Sequence, residues 1–505
     1  MDDVEVEPGS GPAAVTDRGR VRALTIGAVA LISLIAFEAL AVATVMPAVA
    51  ADLDGLAVYA LAFGAPAASG VVGMALAGAW ADGVGVRRPL VVGVSLFVAG
   101  LLLCGTAAHI AVFVTGRAVQ GLGGGMVNVA LYALVGSVVP EPVRPRVFAY
   151  FSAAWVLPAM IGPAISGLLL HTLGWRAVFL LVPALAVPAS LVMWPVVRSA
   201  RVAKARTGAG AEAEAGAGDA RAGAVRRRVL LAAGAGTSAA VLQVAASRPQ
   251  PGWRLLAVVA LAVVVGCATR LLPRGLFRLA RGVPAVVAVR GLIGAAFAGA
   301  ETYLPLLLVR EHRWDPAVAG AVLTLGAFGW SAGSWIQGRY PQPAARYRLS
   351  RIGTSLLVVG VGTILATALP GVPAVTAPVG WTVGAVGMGM VYSSTSLLVL
   401  HLSRPERHGE ASSALTTGES LTMSVVLALG GGLFAAFLPV GLAADAPAGH
   451  APYVAGVSVA VLAAVLAVVA ARRMAPGGVG VPRVRRWRGP ATGTAPGRGR
   501  RRGRG

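Results

Sequence analysis

IAVFVTGRAVQGLGGGMVNVALYALVGSV, residues 110–138, sets Arg117, Gln120 and a glycine run beginning at Gly121 inside a stretch that otherwise reads as hydrocarbon. Arginine is among the costliest side chains to place at membrane depth, so Arg117 beside these small residues marks a polar pathway through a helical bundle. Working outward, Gly162-Pro163 and then Trp175-Arg176 follow in order, each in a further apolar segment. A second reading lets Arg117 snorkel from near a helix end to the lipid head groups.

Composition agrees with a bilayer. Of 505 residues, 56% are hydrophobic and 12% charged, with mean hydropathy +0.76, whereas soluble domains carry about one-quarter charged residues. The formal net charge of +23 does not point to nucleic acid, because the arginines sit in short loops and in a glycine-rich tail, Arg483 to Arg504, almost without aromatic interleaving. Lys204 is the only lysine, and with the excess of Ala, Gly, Arg and Val this reads as GC-rich bacterial coding bias. Cys104 and Cys267 fall within apolar spans and make no disulfide framework. The first apolar stretch is too long for a signal peptide and carries Glu38.

Apolar segments of about 20 residues cross the hydrocarbon core. Such segments lie near 23–46, 57–80, 89–108, 110–138, 148–171 and 175–197, and again near 284–309, 317–338, 351–370, 375–401, 411–438 and 451–471. Two groups of six emerge, predicting an all-α polytopic membrane protein. The predicted organisation is a tail over 1–22, a six-helix half over 23–197, a connecting region over 198–282, a second half over 283–472 and a disordered Arg/Gly-rich tail over 473–505. Within the connector, the Ala/Gly/Glu-rich run at 207–223 predicts a flexible loop. The stretches 229–246 and 253–268 bring the total to fourteen spans, with a re-entrant hairpin as the alternative for the first, diluted by Gly234, Gly236 and Gln243.

Arginine clusters at Arg87-Arg88, Arg144-Arg146, Arg198–Arg228, Arg270–Arg281 and Arg339–Arg351 alternate with loops poor in arginine. Short cytoplasmic loops carry that excess, so both termini are expected in the cytoplasm. Arg310 and Arg313 break the pattern and stand beside Glu311 and Asp315.

Several local patterns, in order, carry a family resemblance. FEALAVATVMPAVAADL, residues 37–53, has a carboxylate nine residues before a proline, with Glu38 where an aspartate is usual; GAWADGVGVRRPL, residues 78–90, holds Asp82, Arg87 and Arg88. RAVQGLGGG (117–125), PAMIGPAISG (158–167) with Gly162, Pro163 and Gly167, and GWRAVFLLVP (174–183) complete the series. Together they resemble the major facilitator superfamily and, within it, the fourteen-span drug:proton antiporters. The resemblance is dense over the first 200 residues and rests on span pattern thereafter. It departs from the family pattern at Gly83, where a basic residue is expected, and in the missing asparagine and threonine near Glu38.

The resemblance implies two six-helix bundles rocking about a central cavity, plus two extra spans. The implied function is export of hydrophobic, including cationic, drugs or antibiotics across a bacterial plasma membrane in exchange for protons, by a monomer. Proton-coupled symport or uniport of a small metabolite is the alternative. It further implies a conformational switch at Asp82, Arg87, Arg88, Gln120, Gly121, Gly162, Pro163 and Gly167. No catalytic residue, metal or cofactor is expected: the histidines are scattered, and no phosphate-binding glycine loop is present.

Ionisable side chains inside apolar spans are functional by default. Glu38, Arg117, Glu301 and Glu419 are therefore the candidate proton-coupling residues. Each has a plainer reading: Glu38 bonded within its helix, Glu301 paired with Arg290, Glu419 beside a wet loop. Asn128, Trp155, Tyr303, Trp330 and Tyr392 are candidate substrate contacts, since amphipathic aromatics suit a large apolar ligand. An interfacial belt or helix packing is the other reading for these aromatics.

Overall fold

The computed structural model describes residues 12–199, 215–248, 250–340, 342–404, 407–443 and 446–475. Among these residues fifteen α-helices run in order: α1 Pro12–Asp52, α2 Leu61–Val84, α3 Arg87–Gly105, α4 Ile110–Val138, α5 Arg144–Ala153, α6 Val156–Leu173, α7 Trp175–Ser199, α8 Ala215–Ala246, α9 Pro251–Leu271, α10 Val283–Arg310, α11 Pro316–Gly338, α12 Pro343–Thr367, α13 Thr376–Leu402, α14 His408–Ala436 and α15 His450–Ala471. Among the described residues, 14 helical segments are long and apolar enough to cross a membrane. The protein is a multi-pass, all-α membrane protein, as the two groups of six with their extra pair predict.

Helix boundaries follow local chemistry. Pro251, Pro316 and Pro343 open α9, α11 and α12, where a missing N–H costs nothing. Asp315 caps α11 by accepting from the Ala317 and Val318 amides at 2.8 and 3.3 Å. Gly174, at φ 79°, takes the left-handed turn between α6 and α7.

The hydrogen-bond ladder of the fifth span is interrupted between α5 and α6: Pro158 has no N–H to offer the carbonyl of Ala154, and Ala154 and Trp155 form a turn in which Trp155 keeps right-handed helical dihedrals, φ −86° and ψ −26°.

Close backbone contact builds each half. In the first, α4 lies along α2 and α3; in the second, α13 lies along α11 and α12. A Cβ on Gly121 would stand 2.5 Å from Ser69 Oγ, and one on Gly125 would stand 3.0 Å from Gly70 Cα. The halves meet directly near the end at which α1 finishes. There a Cβ on Gly167 would stand 2.9 Å from that of Ala317, on Gly320 2.9 Å from Thr44 Oγ1, and on Gly431 2.7 Å from Ala60 Cβ. Tyr59 and Tyr303 stack across the same junction with centroids 6.4 Å apart. We call this the closed end.

The connector departs from expectation. α8 begins at Ala215, inside the segment read as a flexible loop, consistent with the high helix propensity of its alanines. It then continues without a break to Ala246, which removes the re-entrant hairpin. It packs against α2, α9 and α14, so it touches both halves. α1 likewise starts at Pro12, within the predicted tail. The Arg483–Arg504 tail lies outside the described residues.

Arg310 is accounted for by the loop it holds. Its guanidinium, 6% exposed, donates from Nε to the Ala446 carbonyl at 3.0 Å and from Nη2 to Ala443 at 3.2 Å, with a further bond to Ala446. Glu311 accepts the Ala448 amide at 2.7 Å.

Candidate functional site

Among the described residues, a buried ion pair, a part-buried one and a carboxylate without a partner occupy the spans. In the first half, α1 supplies Glu38 and α4 supplies Arg117 and Gln120, all three buried. Arg117 pairs with Glu38 through Nη1, donates to Gln120 Oε1 at 2.8 Å, and sends Nε to the Ala62 carbonyl of α2 at 2.9 Å. Gln120 Nε2 closes the ring on Glu38 Oε2 at 2.6 Å. The three-residue spacing puts Arg117 and Gln120 on one face of α4, and Gly121 lets α2 come close enough for its carbonyl to be reached. Arg117 is therefore an interior residue: the snorkelling reading fails, as does a hydrogen bond of Glu38 confined to its own helix.

The second half holds a counterpart. Arg290 of α10 donates Nε to Glu419 of α14 at 2.8 Å. Its Nη1 donates to the Tyr392 carbonyl at 3.1 Å and to Ser396 Oγ at 2.9 Å on α13, and the guanidinium lies 3.2 Å from the Tyr392 ring centroid. Gly294 makes room for Glu419, since a Cβ there would stand 2.9 Å from Oε1. Arg290 thus pairs with Glu419 and not with Glu301.

Glu301 has neither a hydrogen bond nor an ion pair among the described residues. It is half-buried. Arg290, Gly294, Phe297 and Glu301 recur at steps of four, three and four, so they share one stripe of α10. Within that stripe Phe297 stacks on Trp381 at 4.2 Å and meets Trp330 edge-on at 5.6 Å. Trp330 in turn lies 5.0 Å from Tyr392.

Other candidates fall elsewhere. Trp330 and Tyr392 join Arg290 in this aromatic wall, but Tyr303 is fully buried at the closed end against Tyr59 and Phe434. Asn128 is exposed, and Trp155 is exposed at the break in span five. Gly162 backs the Phe37 ring, whose Cδ2 would lie 3.5 Å from an added Cβ, while Pro163 stands inside α6 and Gly167 at the junction of the halves. Arg87 and Arg88 are exposed, with Arg87 5.4 Å from the Trp194 ring centroid in the same half. The side chain of Asp82 lies outside the described residues. Sequence reasoning passed over Arg290 and Ser396 as site members; the signal was available in Arg290-Gly291, an arginine and glycine set in an apolar run just as Arg117 and Gly121 are.

At the closed end, Asp52 accepts from Trp175 Nε1 at 3.1 Å and from Arg176 Nη1 at 2.9 Å. Across the halves, the His171 ring meets Asp315 at 3.2 Å. Desolvation pushes the Asp315 carboxyl up, but the Ala317 amide, the His171 ring and the Val318 amide together outweigh it and hold it below the ordinary aspartate value.

Residues 26–426 match the sequence profile of the Major Facilitator Superfamily. Multidrug resistance protein Stp of Mycobacterium tuberculosis is 41% identical over 100 residues, which is 20% of this chain and 19% of that protein. Drug efflux pump JefA of the same organism is 36% identical over 114 residues, 22% of each chain. The chain thus aligns with about a fifth of the length of these curated relatives. Among solved structures, a bacterial homolog of the human lysosomal transporter Spinster, inward-facing and occupied, superposes with TM-score 0.58 at 16% identity, covering 92% of this chain and 98% of that one. A D-xylose–proton symporter superposes with TM-score 0.57 at 15% identity, covering 92% and 98%. The family and the fold are those of membrane transporters of small molecules, not of enzymes.

Proposed function

From the premise that this chain belongs to the Major Facilitator Superfamily, we propose that it is a proton-driven exporter of hydrophobic, including cationic, small molecules across a bacterial plasma membrane. Both termini face the cytoplasm in this reading, which makes the closed end the outer one. The protein works as a monomer.

The observation that carries this reading is Glu301, a half-buried carboxylate without a counter-charge at membrane depth. An unpaired carboxylate can bind a proton or a cation without first breaking an ion pair. Glu38 and Glu419 are each held by an arginine; they enter the cycle when rocking of the halves separates them from Arg117 and Arg290. Gln120, Gly121, Gly162, Pro163 and Gly167 serve the rocking, with Asp82, Arg87 and Arg88 latching the inner face in the opposite state. Trp330 and Tyr392 present an apolar wall to the substrate, whereas Tyr303 is better suited to sealing the outer end. The local similarity to Stp and JefA supports drugs as cargo. One charge crossing 100 mV supplies about 2.3 kcal/mol, enough for useful accumulation without ATP.

The test is transport of tetraphenylphosphonium and ethidium in proteoliposomes under an imposed pH gradient. Glu301→Gln is expected to abolish gradient-driven movement while binding persists. Undiminished pumping by Glu301→Gln removes the carboxylate from the mechanism, and movement of cargo along with protons makes the protein a symporter.

A further inference from the structure

Tyr59, Tyr303 and Tyr453 are buried at the closed end, each at most 1% exposed, and none of the three hydroxyls has a hydrogen-bond partner among the described residues. They come from both halves. Tyr59 lies in the turn between α1 and α2, Tyr303 on α10 and Tyr453 in the first turn of α15. Their rings form one chain: Tyr59 stacks on Tyr303 at 6.4 Å across the halves, Tyr303 on Phe434 of α14 at 5.1 Å, and Phe434 meets Tyr453 edge-on at 5.4 Å.

Ring packing does not account for the hydroxyls. Phe434 holds the middle of the same chain without a polar atom, so the contacts themselves ask for none. A buried hydroxyl left unmet carries its full desolvation penalty, and protein interiors meet nearly all such groups, with internal water where no protein group is in reach. A bound water needs two to four polar neighbours, and the cluster offers them. A Cβ on Gly430 would stand 3.9 Å from the Tyr303 hydroxyl and 3.0 Å from the Gly456 carbonyl oxygen, so the space beside Gly430 borders a donor and an acceptor together. The Glu311 carboxylate comes near the Tyr453 hydroxyl but falls short of hydrogen-bond geometry; it accepts the Ala448 amide instead, at 2.7 Å.

We propose that Tyr59, Tyr303 and Tyr453 hold internal water between the two halves, which makes the closed end a hydrated seal in which Tyr59 of the first half shares water with the two tyrosines of the second. Parting the halves then trades bound water for bulk water at all three hydroxyls. No direct hydrogen bond between these tyrosines has to break, so the seal is easily left. The site depends on neither the cargo nor the direction of its transport.

The test is radiolytic footprinting of the full chain in phosphatidylcholine nanodiscs: an X-ray pulse generates hydroxyl radicals from bound as well as bulk water, and oxidation is read residue by residue by peptide mass spectrometry. After correction for intrinsic ring reactivity, Tyr59, Tyr303 and Tyr453 are expected to be oxidised several-fold more than Phe97 and Phe179, which are as deeply buried. Mixing into heavy-oxygen water just before the pulse is expected to leave the three tyrosines carrying the original isotope, while Tyr340, 50% exposed, takes up the heavy one at once. Tyr303→Phe is expected to cut the oxidation of Tyr59 and Tyr453 by half or more. Oxidation no greater than that of Phe97 and Phe179 means a dry cluster and overturns the inference. Isotope uptake as fast as at Tyr340 overturns it as well, since the water is then bulk, and unchanged oxidation in Tyr303→Phe means that no water is shared. These readouts do not involve transport, so the export reading stands or falls separately.

Discussion

Replacing Arg117 by Met removes the counter-charge of Glu38 while keeping much of the volume. Glu38 is 2% exposed and is left with Gln120 as its sole donor. Breaking a buried ion pair from one side costs about 3–5 kcal/mol, since the remaining charge has lost its partner in a medium that cannot solvate it. Glu38→Gln leaves the guanidinium with the Ala62 carbonyl and Gln120 Oε1, a cost in the same range. The double variant has no unpaired charge, so its loss should fall short of the sum by about 2–3 kcal/mol, the coupling of residues in one network. The assay is unfolding in mixed micelles followed by tryptophan fluorescence, for wild type, both singles and the double. Additivity within about 0.5 kcal/mol would refute the pairing and with it the interior placement of Arg117.

Gln243 is buried with Oε1 unpartnered and Nε2 at 3.4 Å from the Ser424 carbonyl; Gln243→Met should be neutral or stabilising by about 1 kcal/mol in the same unfolding assay. Gly125→Val drives a branched side chain into the Gly70 backbone and should destabilise by about 2 kcal/mol or more, lowering the yield of monodisperse protein on size exclusion. Asp315, held below its ordinary value when folded, contributes stability above its unfolded pKa and loses it as pH falls through the folded one, so the α6–α11 contact should persist at neutral pH and loosen below about pH 4. Spin labels at Leu173→Cys and Val318→Cys, in a background lacking Cys104 and Cys267, measure this as a distance; one that stays constant down to about pH 2 contradicts the assignment. Asp315→Ala should also weaken the start of α11 by about 1 kcal/mol.

Spans were legible because about 20 apolar residues have few alternatives in water or in lipid, and even the diluted stretch 229–246 proved to lie in a full helix. The Glu38 and Arg117 site was legible for a related reason: a charge inside such a run has to find a partner there. Which partner was not legible. Eleven residues of α10, about 16 Å of rise, keep Glu301 out of reach of Arg290, but Arg290 and Glu419 are 129 residues apart, and only the packing of α10 against α14 brings them together. The break at Ala154 could have been anticipated from Pro158, but Pro163 and Pro183 sit within continuous helices, so proline alone does not specify a break. Tyr303 illustrates a further limit: its hydroxyl suggested a cavity, yet tight contact with Gly456, whose added Cβ would stand 3.0 Å from the ring, sealed it in.

The connector helix α8 bears on how the two bundles can part. Its Gly236 fits against Ala68 and Val72 of α2, while Gln243 reaches Ser424 and Ala246 abuts Gly432 of α14. One flank of the molecule is therefore a three-helix seam, whereas on the opposite flank α11 meets α6 and the end of α1 with no connector helix across them. If the halves rock as proposed, such unequal fastening makes α8 the spine of a bound book, with the widest excursion expected at the fore-edge beside α6.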